Sequence, residues 1–77
     1  GKDFLLQARA WSLIGDASVE QKNYTQAIKY YLKAAKHQPN EVYSPIYWTK
    51  AAITYEAQAA YKNALQCYQN IVKSYPK

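Results

Sequence analysis

Two side chains of this 77-residue chain, His37 and Cys67, could take part in nucleophilic chemistry. A cysteine–histidine pair needs a third group to orient the imidazole and a pocket for the substrate, and the sequence indicates neither. Cys67 lies among uncharged residues that would not activate its thiol, and His37 lies at the predicted end of a helix, where an imidazole favours the helix dipole. No metal-ligand spacing and no glycine-rich phosphate loop occur. The sequence therefore predicts a protein that is not an enzyme and that has no cofactor and no metal site.

The positive charge of the chain is the second feature that could carry a function. Ten Lys and Arg residues against five acidic residues give a formal net charge of +5. Four lysines and no acidic residue lie between Lys22 and Pro39. Lys29, Lys33 and Lys36 fall at helical spacing on one side, which indicates a solvated face or, as the alternative, a track for a nucleic-acid backbone.

An internal repeat carries all of these residues. Seven identities recur at an offset of 37 residues, which indicates a structural unit present twice. The identical pairs are Trp11 and Trp48, Gln21 and Gln58, Tyr24 and Tyr61, Ala27 and Ala64, Tyr31 and Tyr68, Lys36 and Lys73, and Pro39 and Pro76.

Apolar residues in both copies recur at spacings of three and four, which predicts helices. We expect four helices, at about residues 4–21, 24–37, 45–58 and 61–74. Asp3 is expected to cap the first helix, and Ser44 is expected to cap the third ahead of Pro45. Since short turns make successive helices antiparallel, the predicted fold is all-α, with two stacked helical hairpins.

The inward faces of these helices can also be predicted. Gly15 in mid-helix costs about 1 kcal/mol relative to alanine, so we expect its missing side chain to let a neighbouring helix approach closely. The first helix is expected to turn inward Ala10, Trp11, Ile14, Gly15, Ala17 and Ser18. The fourth helix is expected to turn inward Tyr61, Ala64, Leu65, Tyr68, Ile71 and Val72.

The order of residues within each copy is tryptophan, a small residue four positions on, Ala-x-x-x-Tyr and a closing proline. This order resembles the tetratricopeptide repeat, a helix–turn–helix unit. The resemblance implies repeat 1 over residues 3–41 and repeat 2 over residues 45–77, as a fragment of an α-solenoid. It implies that the small residues allow close packing, that the aromatic residues fill the gaps and that the proline sets the next hairpin. The residues at these positions are Trp11, Gly15, Tyr24, Ala27, Tyr31 and Pro39, then Trp48, Ala52, Tyr61, Ala64, Tyr68 and Pro76.

The resemblance also implies a function, which is to bind a peptide or helix of a protein partner in a groove lined by the first helix of each hairpin. The groove positions of the family correspond here to Arg9, Ser12, Asp16, Val19, Glu20, Ile46, Thr49, Lys50, Ile53 and Glu56. Two of these residues are basic and three are acidic, so the basic surplus lies outside the groove, on the convex wall. This placement disfavours nucleic acid as a partner. Chaperone-binding members hold a carboxylate with Lys and Asn, but Asp16 would repel one, so that function is not expected here.

The main alternative is that both repeats are a spacer within a longer solenoid. Ile46 and Ile53 would then cover a neighbouring hairpin instead of a ligand. We expect a further repeat or a capping helix to cover the open side of the third and fourth helices, where Tyr47 and Tyr55 should be partly exposed. Without that cover, the chain is expected to self-associate.

The linker between the repeats suggests a location. The period of 37 residues exceeds the usual 34 of the family, and the additional residues lie between Pro39 and Trp48. This longer linker is similar to that of bacterial cell-envelope members, which favours the envelope or periplasm over the cytoplasm. No apolar run approaches the roughly 20 residues that span a bilayer, so direct membrane insertion is not expected.

Overall fold

The computed structural model describes residues 2–76, without the side chain of Lys2. The chain forms four helices: α1 (Lys2–Glu20), α2 (Tyr24–Lys36), α3 (Ser44–Ala57) and α4 (Tyr61–Ser74). Each helix packs against the next one along the chain, α1 on α2, α2 on α3 and α3 on α4. The predicted all-α fold of two stacked hairpins is confirmed.

The two hairpins turn in the same way. Lys22 and Ala59, which are equivalent in the two repeats, both adopt the left-handed conformation, with φ of 59° and 57°. The amide of the following residue, Asn23 or Ala60, donates to a carbonyl near the end of the preceding helix, at 2.8 Å and 2.9 Å. These bonds satisfy carbonyls that the helix end would otherwise leave unpaired. Both turns therefore make antiparallel pairs with the same geometry.

The predicted N-caps of α1 and α3 are wrong by a residue or more. Helix α1 begins at Lys2, so Asp3 lies within its first turn. There the negative charge of its carboxylate interacts favourably with the positive end of the helix dipole. Helix α3 begins at Ser44, with Tyr43 as its N-cap. The side-chain oxygen of Asn40 accepts hydrogen bonds from the amides of Val42 and Tyr43 at 2.8 and 2.9 Å. These bonds form a turn ahead of Pro45, so the helix begins one residue earlier than predicted.

Small side chains dominate the core. Ala27, Ala51, Ala52 and Ala64 are fully buried or nearly so, in a cluster around the ring of Tyr31. A second cluster contains Ala8, Ala34, Ala35 and Tyr47, with Trp11 and Trp48 packed against it. The expected burial of Ala27, Ala52 and Ala64 is thus confirmed, whereas the expected exposure of Tyr47 is wrong because α2 and α1 cover its ring.

Two inward faces differ from the prediction. Helix α1 buries Ala8, Ser12, Gly15 and Ser18, whereas Ala10, Ile14 and Ala17 are exposed. Alanine fits either the buried or the exposed face of a helix, so the sequence pattern did not determine which side of α1 faces the core. On α4 only Ala64 and Cys67 are buried, while Tyr61, Leu65, Tyr68 and Val72 are exposed. These four residues lack cover because no helix packs on that side of α4 among the described residues.

At Gly15 the ring of Tyr31, on α2, packs directly against the backbone of α1. A Cβ atom added to Gly15 would lie 2.5 Å from Cε1 and 2.7 Å from Cδ1 of the buried Tyr31 ring. Real Cβ atoms essentially never approach another heavy atom that closely. Any side chain at this position therefore requires the ring or the helix to move.

We predict that Gly15→Ala lowers the free energy of unfolding by about 1–2 kcal/mol, because overpacking outweighs the gain in helix propensity. Urea denaturation followed by tryptophan fluorescence measures the change. Ala10→Gly is the matched control, since Ala10 is exposed on the same helix. This change should lower the free energy of unfolding by about 1 kcal/mol through helix propensity alone. A more stable Gly15→Ala variant would show that the ring does not pack on Gly15.

Candidate functional site

The candidate surface consists of the ten groove positions predicted on α1 and α3, and we call it the A-helix surface. Its members on α1 are Arg9, Ser12, Asp16, Val19 and Glu20, and its members on α3 are Ile46, Thr49, Lys50, Ile53 and Glu56. Arg9, Glu20, Ile46, Ile53 and Glu56 are exposed, and Asp16, Val19, Thr49 and Lys50 are partly exposed. Ser12 is buried, so its side chain cannot contact a ligand on this surface.

An ion pair joins the two helices at the centre of the surface. Nζ of Lys50 lies 3.0 Å and 3.2 Å from the two carboxylate oxygens of Asp16. Both side chains remain about two-fifths exposed, so the pair contributes at most about 1 kcal/mol to stability. Its larger effect is on recognition, because Lys50 does not present an isolated positive charge and Asp16 does not present an isolated negative one.

The same carboxylate receives a hydrogen bond from the core. The Tyr31 hydroxyl donates to Oδ1 of Asp16. Nζ of Lys50 also lies 5.7 Å from the centroid of the Tyr31 ring, within the range of cation–π attraction. Asp16, Tyr31 and Lys50 thus form a polar cluster that connects α1, α2 and α3, and we call it the tyrosine cluster.

Burial raises the pKa of the Tyr31 phenol well above its ordinary value, and the hydrogen bond to Asp16 and the charge of that carboxylate raise it further. The phenol therefore stays protonated and remains a donor throughout the neutral range. Helical spacing predicted that Tyr31 lies in the core but did not reveal the role of its hydroxyl. The available signal was the choice of tyrosine over phenylalanine at a buried position, since a buried hydroxyl needs a partner.

Repeat 2 contains a related contact. The Tyr68 hydroxyl donates to Oε1 of Glu56 at 2.7 Å, and this bond is the main cause that raises the pKa of the Tyr68 phenol. Glu56 is equivalent to Val19 rather than to Asp16, so the acid sits one helical turn later and uses its longer side chain to reach the tyrosine. Thr49 is also engaged, since its hydroxyl donates to the Pro45 carbonyl at 2.7 Å.

A cleft of about 190 Å³ extends the A-helix surface beside Arg9. Leu5, Leu6, Tyr43 and Tyr47 form the rest of its lining. These four residues were not predicted as part of the site. The available signal was the adjacent pair Leu5 and Leu6, only one of which can face inward on a helix.

The lysines of α2 contact aromatic rings on the other side of the molecule. Nζ of Lys33 lies 4.8 Å from the ring centroid of Trp11, and Nζ of Lys36 lies 5.7 Å from that of Trp48. Such contacts contribute about 0.5–1 kcal/mol at exposed sites. This face is therefore more than the solvated face suggested by the sequence, because these ammonium groups also stabilise the repeat.

The two residues that could perform nucleophilic chemistry lie in structural surroundings. Cys67 is buried, and burial raises the pKa of its thiol even though Lys36 acts in the opposite direction. The neutral thiol is therefore the dominant form at pH 7. The ring of His37 packs edge-on against Trp11 at a centroid distance of 5.0 Å. Within residues 3–76 no group of three His, Cys, Asp or Glu side chains could hold a metal ion.

Comparison with known proteins gives two matches to one family. Residues 8–41 and residues 48–77 each match the tetratricopeptide repeat, and together the matches cover more than half of the chain. The human Superkiller complex protein 3 is 33% identical over 72 residues, which is 94% of this chain and 4% of that protein. The chain thus spans a small part of this relative's length. No solved structure matches the chain significantly. None of the described helices is long and apolar enough to cross a membrane.

The tyrosine cluster predicts how stability changes at alkaline pH. Because the folded state raises the pKa of Tyr31, its contribution is complete below about pH 10 and falls as the pH rises further, when the unfolded chain loses the phenol proton first. The folded state also raises the pKa of the Cys67 thiol, so the contribution of Cys67 to stability falls as the pH rises above about 9. We predict that Tyr31→Phe is less stable than the wild type at pH 7 but loses less stability between pH 10 and 11.5.

Urea denaturation at a series of pH values measures this difference. Asp16→Asn serves as the companion variant, because it keeps the phenol but removes the negative acceptor, and it should flatten the alkaline slope in part. An alkaline slope that is the same in Tyr31→Phe and in the wild type would contradict the assignment.

Proposed function

Because the chain belongs to the tetratricopeptide repeat family, we propose that it is a non-catalytic module that binds a peptide or a helix of a protein partner on the A-helix surface. Repeats of this family generally mediate protein–protein interaction, and that coarser role applies to this chain. The finer proposal concerns which residues make the contact and what kind of ligand they select.

The observation that carries the proposal is a pair of exposed isoleucines on α3. Ile46 and Ile53 are 47% and 56% exposed and lie seven residues apart, on one side of the helix. Exposed branched side chains at this spacing suit the apolar anchors of a helical or extended ligand. Lys50 lies between them in sequence and is already paired with Asp16, so the apolar contacts have a polar but nearly neutral centre.

The charges at the two ends of the surface favour one ligand direction. Arg9 lies about two turns into α1 and is equivalent, by the repeat offset, to Ile46 near the start of α3. Glu20 and Glu56 lie near the ends of α1 and α3. A ligand with an acidic group near Arg9 and a basic group near the two glutamates would match this pattern. The cleft between Leu5 and Tyr43 would accept an apolar side chain beside the acidic group.

The human relative supports a role in assembly, since its name identifies it as a protein of a complex. A spacer role within a longer solenoid is the second candidate, and the exposed side of α4 favours it. Nucleic-acid binding has less support, because Lys33 and Lys36 lie against Trp11 and Trp48 instead of forming an open basic track. The envelope location suggested by the linker remains a prediction.

We predict that peptides selected for binding to this chain depend on the A-helix surface. A phage-displayed library of random linear peptides is the probe, and fluorescence anisotropy of the selected peptides measures affinity. Ile53→Asp and Ile46→Asp should each weaken binding about tenfold or more, as expected for a central apolar anchor.

The double variant Lys29→Gln with Lys33→Gln is the matched control on the opposite side and should leave affinity within about twofold. Circular dichroism of every variant establishes that the fold is intact. Peptides that ignore the isoleucine changes but lose affinity with the lysine changes would contradict the proposal. Strongly salt-dependent binding of an oligonucleotide that requires the α2 lysines would support nucleic acid instead.

A further inference from the structure

One tyrosine hydroxyl near the start of α3 has no partner among the described residues. Tyr47 is only 8% exposed, yet its hydroxyl makes no hydrogen bond to any of them. The hydroxyls of Tyr31 and Tyr68, by contrast, each donate to a carboxylate. A phenol that is nine-tenths buried normally finds a partner for its hydroxyl. The partner of Tyr47 therefore comes from outside these residues, as water or as a ligand.

The Tyr47 hydroxyl opens into the cleft beside Arg9. No enclosed side-chain oxygen of the described residues lacks a hydrogen-bond partner, so the unbonded hydroxyl of Tyr47 is accessible. Tyr47 lines the cleft of about 190 Å³, together with Leu5, Leu6, Arg9 and Tyr43. Pockets for small molecules begin at about 300 Å³, so this smaller cleft has room for one side chain.

Arg9 supplies the positive charge of the cleft. The ion pair between Lys50 and Asp16 is the only one among the described residues, so the Arg9 guanidinium has no acidic partner there. Burial raises the pKa of the Tyr47 phenol, whereas the charge of Arg9 lowers it, which agrees with a guanidinium near the hydroxyl. The phenol of Tyr43 raises the same pKa, which agrees with a second hydroxyl nearby. The lining thus offers a guanidinium and two hydroxyls as donors, and it contains no carboxylate.

The backbone of α3 adds to the positive potential of the cleft. Tyr43 is the N-cap of α3, and Tyr47 lies about one turn further along, at the positive end of the helix dipole. The first turn of α3 contains no acidic residue, so no side chain of that turn offsets this end of the dipole. An anion in the cleft would therefore interact favourably with both the dipole and the Arg9 guanidinium.

We propose that Arg9, Tyr43 and Tyr47 bind the side-chain carboxylate of a glutamate in the partner peptide. Leu5 and Leu6 contact the two methylene groups of that glutamate. This assignment rests on the proposed function, because Arg9 is also a member of the A-helix surface. It deepens that function, since the acidic group and the apolar group at this end of the ligand become parts of one side chain.

Two other anions match the cleft less well. A phosphate group carries about 1.5 to 2 negative charges at pH 7, whereas Arg9 is the only cation of the lining. A C-terminal residue places its own amide N–H beside its carboxylate, and this donor needs an acceptor. The lining side chains offer no acceptor apart from the two tyrosine hydroxyls, which already donate to the carboxylate. A glutamate side chain accepts through both oxygens and donates nothing, so it matches the donors of the lining.

Tyr47→Phe separates recognition from stability, because it removes the hydroxyl and keeps the ring. Since this hydroxyl has no partner among the described residues, the folding equilibrium constant in urea should stay within about twofold of the wild type. Tyr31→Phe should lower that constant by more, because the Tyr31 hydroxyl donates to Asp16. A loss of stability in Tyr47→Phe as large as that in Tyr31→Phe would overturn the proposal, since the hydroxyl would then have a partner within the chain.

Capped amino acids test the cleft without a partner peptide. N-acetyl-glutamate N-methylamide has the side-chain carboxylate and no free terminus, and chemical shifts of the 77-residue chain report where it binds. We expect saturable shifts at Arg9, Tyr43 and Tyr47, with an affinity at least about tenfold higher than that of the capped glutamine, which lacks the charge.

Variants of the chain assign the donors in the same titration. Arg9→Gln should weaken binding of the capped glutamate about tenfold, and Tyr47→Phe should weaken it about three- to tenfold. Tyr55→Phe is the matched control, since it removes a hydroxyl of α3 outside the cleft, and it should leave the affinity within about twofold. Equal binding of capped glutamate and capped glutamine would overturn the proposal. Tighter binding of N-acetyl-leucine, which offers a C-terminal carboxylate, would also overturn it.

Peptides selected from the phage-displayed library decide the case in which a single amino acid binds too weakly to measure. We expect a glutamate at one fixed position of these peptides. Its change to glutamine should weaken binding about tenfold in the wild type and about twofold or less in Arg9→Gln. Peptides that depend on Ile46 and Ile53 but need no glutamate would overturn this assignment and leave the proposed function intact. Peptides that need the glutamate and ignore both isoleucines would contradict the proposed function and leave the cleft assignment intact.

Discussion

The packing of the Tyr31 ring on the bare backbone of Gly15 is the contact on which the rest of the structure depends. It brings a side chain of α2 into direct contact with the backbone of α1, in a chain whose other core residues are mostly alanines. The ring is long enough to carry its hydroxyl through the core to Asp16, where Lys50 arrives from α3. One aromatic side chain thus links a steric constraint in the core to the charge pattern of the surface. A substitution at Gly15 that moves the ring should therefore also change the positions of Asp16 and Lys50 on the A-helix surface.

The 37-residue repetition predicted most of the fold. Helices and turns depend on local spacing, and the burial of Ala27 and Ala52 follows from small residues that recur at equivalent positions. The rotation of α1 was not predictable in the same way, because Ala10 and Ala17 fit either side of a helix. The exposure of Tyr61 depends on what covers α4, which no local pattern determines.

The candidate site was predictable in its location and less so in its chemistry. The family resemblance placed ten residues on α1 and α3, but it could not state that Asp16 and Lys50 pair with each other or that Thr49 bonds its own helix. Those outcomes depend on distances between helices, which spacing along one helix does not give. The same limit hid the role of the tyrosine hydroxyls, since Tyr31 uses Asp16 while Tyr68 uses Glu56, one turn away from the equivalent position.

Nuclear Overhauser contacts between the Tyr31 ring protons and the α-protons of Gly15 test the central claim most directly. The account predicts strong contacts, together with an upfield ring-current shift of the Gly15 α-protons, in the wild-type chain at neutral pH. A ring that packs elsewhere would give Gly15 α-protons at ordinary helical shifts and no contact to Tyr31. That result would contradict the packing of α1 on α2 and the tyrosine cluster that rests on it.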